Sequence, residues 1–252
     1  MTDYYIGLDL GQANDFSAIA VGEEPVWIGE PPSSPYGLNE TAMWPHDRRG
    51  WVSVADLVPA QRRHFRALTY AGHRPDRPPL YLRHLERMRH LSYSTVVARV
   101  AELLRTAPLA EAETVLLVDY GGVGRGIFDM LEAAALLPIP ITITGGNEPH
   151  AAADGWNVPK RDLVVATQSM LQDGRLRIAS GLEHASTLTK ELQDYRVKLS
   201  PAGHDSYDAR SGQHDDLVLA VSLVCWFRDY YFKHYDAEAE RAKRTQPQGA
   251  YR

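Results

Sequence analysis

The chain has 252 residues, of which 44% are hydrophobic and 23% are charged, and its formal net charge is −5. A chain of this size and composition is expected to bury one substantial core. Its net charge excludes a general electrostatic attraction to nucleic acid, so any basic DNA-facing surface must be local. The only cysteine, Cys225, excludes a disulfide framework and a cysteine-rich zinc site. The N-terminal segment is not typical of a signal peptide and no apolar run is long enough for a membrane helix, so we expect a reducing, cytoplasmic setting.

The N-terminal third of the chain predicts strands followed by an irregular segment. The apolar run "YIGLDLG" predicts a strand over residues 4–10. Residues 17–28 predict two short strands joined by a hairpin turn at residues 22–25. Residues 29–79 are dense in proline, glycine and polar side chains, which indicates an insertion or mobile loop around a short helix near residues 55–68.

From residue 80 onwards, the sequence predicts alternating strands and helices. Apolar runs and alternation indicate the strands, while Ser92, Pro159 and Gly174 mark the ends of helices. In chain order, the predicted elements are a strand at 80–88, a helix at 92–106, a strand within 114–124, a helix at 127–137, a strand at 139–146, a helix at 158–174, a strand at 175–180, a helix with an extended end at 182–199 and an apolar helix at 214–232. A charged, frayed tail is expected from about Asp236.

This order of elements predicts an α/β fold, with a mixed sheet flanked by helices on both faces and an irregular insertion after the first strands. We expect one domain over residues 1–235, which contains the insertion, and a charged tail over residues 236–252. In sheets of this kind the functional site lies beyond the carboxyl ends of the strands.

Four aspartates interrupt segments that are otherwise apolar. Asp9 and Asp119 fall at the carboxyl ends of predicted strands, and Asp215 and Asp216 begin the last helix. Capping explains each of them separately, since backbone N–H groups at a strand end or a helix N-terminus stabilise a carboxylate. If the four converge, their mutual repulsion requires divalent cations, and their oxygen ligands suit Mg²⁺ or Mn²⁺. Such a carboxylate cage is typical of two-metal phosphoryl transfer.

Six segments carry a family resemblance through their order and spacing. They are "GLDLGQANDFSAIAV", "VLLVDYGGVGRGIFDML", "VPKRDLV", "GRLRIA", "LTKELQDYRVKL" and "GQHDDLVLAVSLV". Together they resemble the nuclease domain of phage large terminase subunits, which has a ribonuclease-H-like fold. In that family the acids come from the first strand, a central strand and the C-terminal helix. The matching positions here are Asp9, Asp119 and the pair Asp215 and Asp216, of which Asp216 is favoured.

The resemblance implies an endonuclease that cleaves double-stranded DNA with two divalent cations, as in the termination of viral genome packaging. It implies a packaging ATPase, a small terminase subunit and a portal as partners, in the cytoplasm of a bacterial host, and no membrane. Lys160 and Arg161 open a predicted helix, where they contact DNA phosphate beside the site or lie in a solvated turn. The phosphate-binding loop of the terminase ATPase is missing from this sequence, so DNA translocation is not assigned to it.

Three competing interpretations stay open. In the first, the segment "IGLDLGQANDFSAIAV" resembles the first phosphate loop of actin, sugar-kinase and heat-shock ATPases, in which Asp9 and Asp119 would hold Mg²⁺-ATP. Against that interpretation, the chain is too short for the two domains that those ATPases need. The second is a junction resolvase or similar ribonuclease-H-like nuclease, and the third is a non-catalytic DNA-binding module with a decayed site. Metal-dependent nicking of plasmid, compared with ATP hydrolysis, separates these classes.

Overall fold

The computed structural model describes residues 3–11, 15–25, 41–43, 51–53, 79–122, 124–152, 155–179, 181–194, 196–199, 205–208 and 214–245. Most of the predicted insertion at 29–79, with the helix expected near residues 55–68, lies outside these residues. The chain divides into two units, Met1–Val26 with Pro78–Arg228 and Trp27–Arg77 with Asp229–Arg252. The limits expected for the domain, residues 1–235, and for the tail, residues 236–252, stay predictions.

The described residues form the strands and helices that the alternating pattern predicts, with some differences in their limits, and they add five strands that were not predicted. The strands are β1 (Asp3–Asp9), β2 (Ser17–Glu24), β3 (Thr41–Met43), β4 (Trp51–Ser53), β5 (Leu80–Met88), β6 (Glu113–Asp119), β7 (Ile139–Thr144), β8 (His150–Ala151), β9 (Trp156–Pro159), β10 (Leu176–Ile178), β11 (Arg196–Leu199) and β12 (Asp205–Asp208). The α-helices are α1 (Tyr93–Arg105), α2 (Gly124–Ala133), α3 (Lys160–Gln172), α4 (Ala185–Asp194) and α5 (Asp216–Thr245). The five added strands are β3, β4, β8, β9 and β12.

An eight-stranded mixed sheet organises the first unit, in the order β10-β5-β2-β1-β6-β7-β9-β8. The strands β5, β2 and β1 form an antiparallel meander. Beyond β1, the strands β6, β7 and β9 continue the sheet in parallel. This is the predicted mixed α/β sheet, and the parallel half places the carboxyl ends of β1 and β6 side by side.

The two faces of the sheet are covered by different helices. On β1, the side chains of Tyr4, Ile6 and Leu8 belong to a core shared with α1 and α2. Side chains alternate along a strand, so Gly7 and Asp9 face the opposite side. There α5 packs directly on β1. The approach is so close that a Cβ added at Gly7 would lie 1.9 Å from the carbonyl oxygen of Ala220. Helix α3 joins α5 on that face through a hydrogen bond of 2.8 Å from the Thr167 hydroxyl to the Ser222 hydroxyl.

The hairpin turn predicted at residues 22–25 is wrong. Strand β2 continues through Gly22 to Glu24, with an irregularity in its pairing to β5 between Val21 and Gly22. Glu24, one of the residues of the predicted turn, is buried at 2% exposure. Its Oε2 accepts a hydrogen bond of 2.8 Å from Nε of the buried Arg228. A tertiary ion pair with α5 therefore replaces the solvent contact expected of a turn.

The limits of several helices differ from the prediction. The helix predicted from residue 127 begins one turn earlier, at Gly124, and ends at Ala133. The last helix begins at Asp216 rather than at His214, and it continues past the predicted end at residue 232 to Thr245. The helix predicted at 92–106 is confirmed, and the Ser92 hydroxyl caps it by accepting a hydrogen bond of 3.2 Å from the N–H of Thr95. Among the described helices, none is both long and apolar enough to cross a membrane.

Candidate active site

Asp9 and Asp119 end two adjacent parallel strands and face the same side of the sheet. In the pairing of β1 with β6, Leu8 lies opposite Val118, so Asp9 and Asp119 are the next residues of the two strands. Leu8 and Val118 both belong to the core under α1 and α2, and alternation turns the two aspartates to the face that α5 covers. Adjacent strands lie about 4.8 Å apart, which makes these carboxyl groups neighbours.

The close approach of α5 to β1 brings a third acid to the same place. Gly7 precedes Asp9 by two residues, and Ala220 follows Asp216 by four residues, which is about one helical turn. The contact between Gly7 and Ala220 therefore holds the first turn of α5 over the end of β1. Asp216 is 7% exposed and Asp9 is 6% exposed, so both acids are buried where the helix meets the strand end.

Asp9 lies in an environment that disfavours its negatively charged form. Burial raises the pKa of Asp9 well above its ordinary value, and the negative charges of Asp119, Asp216 and Asp215 raise it further, against a smaller lowering effect from Lys160. Asp9 therefore lies among three acids, with Lys160 as the opposing charge. Burial and the neighbouring acids both disfavour the ionised form of Asp9 in the metal-free protein.

Asp119 is held by the turn that follows its strand. Its Oδ1 accepts a hydrogen bond of 2.8 Å from the N–H of Gly121. Burial raises the pKa of Asp119, whereas the Gly121 N–H and the charge of Lys160 lower it. A Cβ added at Gly124 would lie 2.1 Å from the carbonyl oxygen of Asp119, so a glycine there lets α2 begin directly behind the acid.

The two acids at the start of α5 are each paired with a cation from another element. Lys160 Nζ, in the first turn of α3, donates to Asp215 Oδ2 at 2.9 Å. Arg87 of β5 donates to Asp216 Oδ2 from Nη2 at 2.7 Å and from Nε at 3.2 Å. Burial raises the pKa of Asp216, and the contacts with Arg87 lower it. The side chain of Asp215 is 19% exposed against 9% for Asp216, so Asp216 is the more buried of the pair.

Arg87 belongs to a row of residues that runs across the sheet. Asp9 pairs with Ala18 of β2, and Ala18 pairs with Arg87 of β5. The guanidinium carbon of Arg87 lies 3.8 Å from the centroid of the Phe16 ring, on which His214 packs edge-on at 5.1 Å. This stacking holds the Arg87 side chain where its guanidinium group contacts Asp216.

Glu191 of α4 is a further buried acid beside the site. Its Oε2 accepts hydrogen bonds from the N–H groups of Leu217 at 3.1 Å and Val218 at 3.2 Å. Burial raises the pKa of Glu191 to about 7, against lowering effects from the Val218 N–H and from Arg87. The acid therefore contacts the backbone of the helix that carries Asp215 and Asp216.

Most of the predicted site residues lie together at one edge of the sheet, but they do not form a closed metal site. The residues that lie at one edge of the sheet are Asp9, Asp119, Asp215, Asp216 and Lys160. Among the described residues, however, no three His, Cys, Asp or Glu side chains lie close enough together to enclose a metal ion. The carboxylates of Asp215 and Asp216 are directed to their cation partners instead.

Arg161 occupies a different position from Lys160. Its Nη2 donates to the carbonyl oxygen of Asn147 at 2.8 Å, and its Nε donates to Asp162 at 3.2 Å. These contacts hold Arg161 at the end of β7 rather than against the four aspartates.

Sequence reasoning did not find Arg87 and Glu191. Each contacts the site through pairing or packing of elements far apart in the chain, and neither follows a motif. The one local signal is that Arg87 interrupts the strand run "LYLRHLERM", but many strands carry an arginine on an exposed face.

We expect the metal-free protein to lose stability as the pH rises from 5 to 8. Burial raises the pKa of Glu191 to about 7, which places its titration in this interval, and it also raises the pKa values of Asp9, Asp119 and Asp216, so the folded state binds more protons than the unfolded state. Their contribution is complete below the unfolded pKa values and is lost as the pH rises through the folded ones. Thermal melting in EDTA is expected to show a fall in Tm on the order of 5 °C. In Asp9→Asn the fall should be smaller, and a Tm that rises over this interval would contradict the assigned directions.

Two features define the ribonuclease-H-like class. The first is an antiparallel meander that parallel strands continue. The second is a set of acids at the ends of two adjacent strands, β1 and β6, and at the start of the helix that covers them. Residues 67–225 match the family model described as the terminase RNaseH-like domain, and the chain belongs to that family. The matched segment contains Asp119, Asp215 and Asp216, whereas Asp9 precedes it.

Solved structures with a similar fold come from phage terminases. The large terminase nuclease from thermophilic phage G20c with bound magnesium is 19% identical, with a TM-score of 0.52 over 89% of this chain and 80% of that chain. The same nuclease with bound cobalt is 18% identical, with a TM-score of 0.51 over the same shares. The large terminase nuclease domain of Thermus phage P74-26 is 18% identical, with a TM-score of 0.50 over 88% of this chain and 77% of that chain. The curated proteins contain no significant match.

Proposed function

We propose that this chain is a metal-dependent endonuclease that hydrolyses double-stranded DNA, with Asp9, Asp119, Asp215 and Asp216 as the metal ligands. The observation that carries the proposal is Asp9, a carboxylate that is 6% exposed and whose pKa is raised well above its ordinary value by burial and by the charges of Asp119, Asp216 and Asp215. Ionising a buried carboxylate costs several kcal/mol unless an opposite charge compensates for it. Three further aspartates around it increase that cost, and a cation removes it.

The donor chemistry of the site fits Mg²⁺ or Mn²⁺. All four proposed ligands are carboxylates, which hard divalent cations prefer, and cysteine and histidine do not contribute to the set. Two such ions, when bound, activate a water molecule and stabilise the leaving oxygen of a phosphodiester. Asp9 lies next to Asp119 in the sheet and under the start of α5, where it would hold a cation together with Asp119 and Asp216. The Gly121 N–H orients the Asp119 carboxylate.

The cations that pair with Asp215 and Asp216 have a second role in this proposal. Lys160 and Arg87 neutralise the two acids in the metal-free protein through contacts of 2.9 and 2.7 Å. When the acids bind metal, Lys160 exchanges its contact with Asp215 for a DNA phosphate beside the site. Arg161 is exposed at the neighbouring strand end, and we propose a backbone contact with DNA there too.

The related structures support a metal-dependent nuclease. The phage G20c terminase nuclease has been crystallised with magnesium and with cobalt. By analogy, we propose that this chain acts with a packaging ATPase, a small terminase subunit and a portal, in the cytoplasm of a bacterial host. The family match favours this role over an actin-like ATPase or a junction resolvase.

The test is cleavage of supercoiled plasmid by the purified chain. We expect nicked and linear products with Mn²⁺ or Mg²⁺, little sequence preference, and no cleavage in excess EDTA. Asp119→Asn should lose cleavage by about a hundredfold or more, because it removes one ligand charge. The matched control is Asp173→Asn, which changes an exposed aspartate paired with Arg175 and should cut like the wild type.

Two outcomes would contradict the proposal. Cleavage that survives EDTA would remove the metal mechanism. ATP hydrolysis without cleavage would favour an actin-like ATPase. Cleavage and DNA binding should also weaken as the salt concentration rises, because contacts with phosphates release counterions.

A further inference from the structure

The N-terminus of α5 is capped by a residue from another helix. Glu191 Oε2 accepts hydrogen bonds from both Leu217 and Val218, at 3.1 and 3.2 Å. These are the second and third residues of α5, whose N–H groups are usually capped by the side chain that precedes the helix. That preceding residue is Asp215.

The cap from α4 changes what Asp215 does. Since Glu191 occupies both N–H groups, the Asp215 carboxylate is not used to cap its own helix and binds Lys160 instead. The simplest interpretation of the pair of acids, that they only cap the helix, is therefore not supported by the contacts of Asp215. A cap that comes from another helix thus leaves the Asp215 carboxylate to contacts outside its own helix.

A second contact joins Glu191 to Asp216. Glu191 is 8% exposed, and its Oε1 is buried with no hydrogen-bond partner among the described residues. This oxygen lies 3.6 Å from Arg87 Nη2, the same nitrogen that donates to Asp216 Oδ2 at 2.7 Å. Glu191 thus influences the acids by two routes, through the backbone of α5 and through Arg87.

We propose that Glu191 is a positioning residue of the metal site, which caps α5 in place of Asp215, so that the Asp215 carboxylate is not used for the cap, and which contacts Arg87, the partner of Asp216. This inference rests on the proposed function, because it assigns Glu191 a task at that same site. Glu191 acts through the backbone N–H groups and Arg87, and it is not itself a ligand.

Two neutral variants of similar volume separate capping from charge. Glu191→Gln keeps an oxygen that accepts from Leu217 and Val218, whereas Glu191→Met has no acceptor. Both remove the same negative charge. We expect Mn²⁺ to bind Glu191→Met about tenfold more weakly than Glu191→Gln, because losing the group that orients a ligand typically lowers metal affinity by this amount. Isothermal calorimetry with Mn²⁺ alone measures the difference, and the rise in Tm on adding Mn²⁺ provides a second reading.

A control variant accounts for a general loss of stability. Thr167→Ala removes the buried hydrogen bond between α3 and α5 without touching the cap, and its Mn²⁺ affinity should equal that of the wild type. If Glu191→Met does not fold by circular dichroism, Glu191→Asp withdraws the acceptor by one methylene group and takes its place.

Three results would overturn the inference. Equal Mn²⁺ affinity of Glu191→Met and the wild type would show that the cap has only a structural role. Equal weakening in Glu191→Gln and Glu191→Met would show that the charge of Glu191, or direct ligation by it, is what matters. A wild-type protein that binds no Mn²⁺ would refute the proposed function itself, and the inference with it.

Discussion

Replacing Asp9 by asparagine is expected to lower plasmid cleavage by about a thousandfold while the chain stays folded. Asparagine has nearly the same shape as aspartate, but it lacks the charge that would hold two cations. The metal-free variant should melt at a higher temperature than the wild type, because the repulsion of Asp9 by Asp119, Asp215 and Asp216 is relieved. Cleavage assays and thermal melting, each with and without Mn²⁺, measure both effects.

The opposite interpretation of Asp9 predicts opposite results. If Asp9 only capped backbone N–H groups, Asp9→Asn would lower the Tm by a few degrees and leave most of the activity. The wild type should gain thermal stability on adding Mn²⁺, and Asp9→Asn should gain much less. Asp173→Asn again serves as the control. Equal stabilisation of the wild type and Asp9→Asn by Mn²⁺ would exclude Asp9 as a ligand.

Replacing Gly7 by alanine is expected to destabilise the protein by about 3 kcal/mol and to lower its Tm by about 10 °C. The added Cβ would lie 1.9 Å from the backbone carbonyl oxygen of Ala220, and a backbone atom cannot rotate away as a flexible side chain can. Helix α5 would have to shift from β1, which carries Asp216 away from Asp9. We expect cleavage measured below the lowered Tm to fall by about a hundredfold, since a displacement of about 1 Å at an active site has that effect.

Gly126→Ala is the matched control for Gly7→Ala. Gly126 lies within α2, and a Cβ added there meets nothing within 4 Å. Alanine is favoured over glycine in a helix by about 0.5 to 1 kcal/mol, so this variant should be slightly more stable and fully active. A Gly7→Ala protein with the Tm and activity of the wild type would mean that α5 does not depend on this close contact for its position.

Features set by local pattern could be predicted from the sequence. The apolar runs that end in Asp9 and Asp119 identified β1 and β6, and the acids at their ends, because a strand buried on both faces needs a continuous apolar segment. Ser92 identified the start of α1, since an N-cap is recognised within a few residues of chain. The order of these segments was also sufficient to indicate the family that the comparison of residues 67–225 supports.

Features that depend on tertiary contacts could not be predicted in this way. The turn expected near Gly22 does not form, because Glu24 is buried against Arg228, a residue 204 positions away. Arg87 reaches Asp216 because the pairing of β5 with β2 places it opposite Ala18, and alternation within one strand does not determine the register between two strands. Such contacts join elements that are far apart in the chain, and the hydrophobic periodicity of one element does not indicate which distant element it meets.

The start of α5 shows most clearly which features the local sequence determines and which ones depend on tertiary contacts. The sequence by itself determined that Asp215 and Asp216 open an apolar helix, and both capping and metal binding were consistent with that pattern. Only the tertiary structure decided that Glu191 of α4 accepts from the N–H groups of Leu217 and Val218, and that the absence of a side chain at Gly7 lets this helix lie against β1. The physical reason is that helix capping and carboxylate burial depend on which groups are neighbours in space, and those neighbours come from elements distant in the chain.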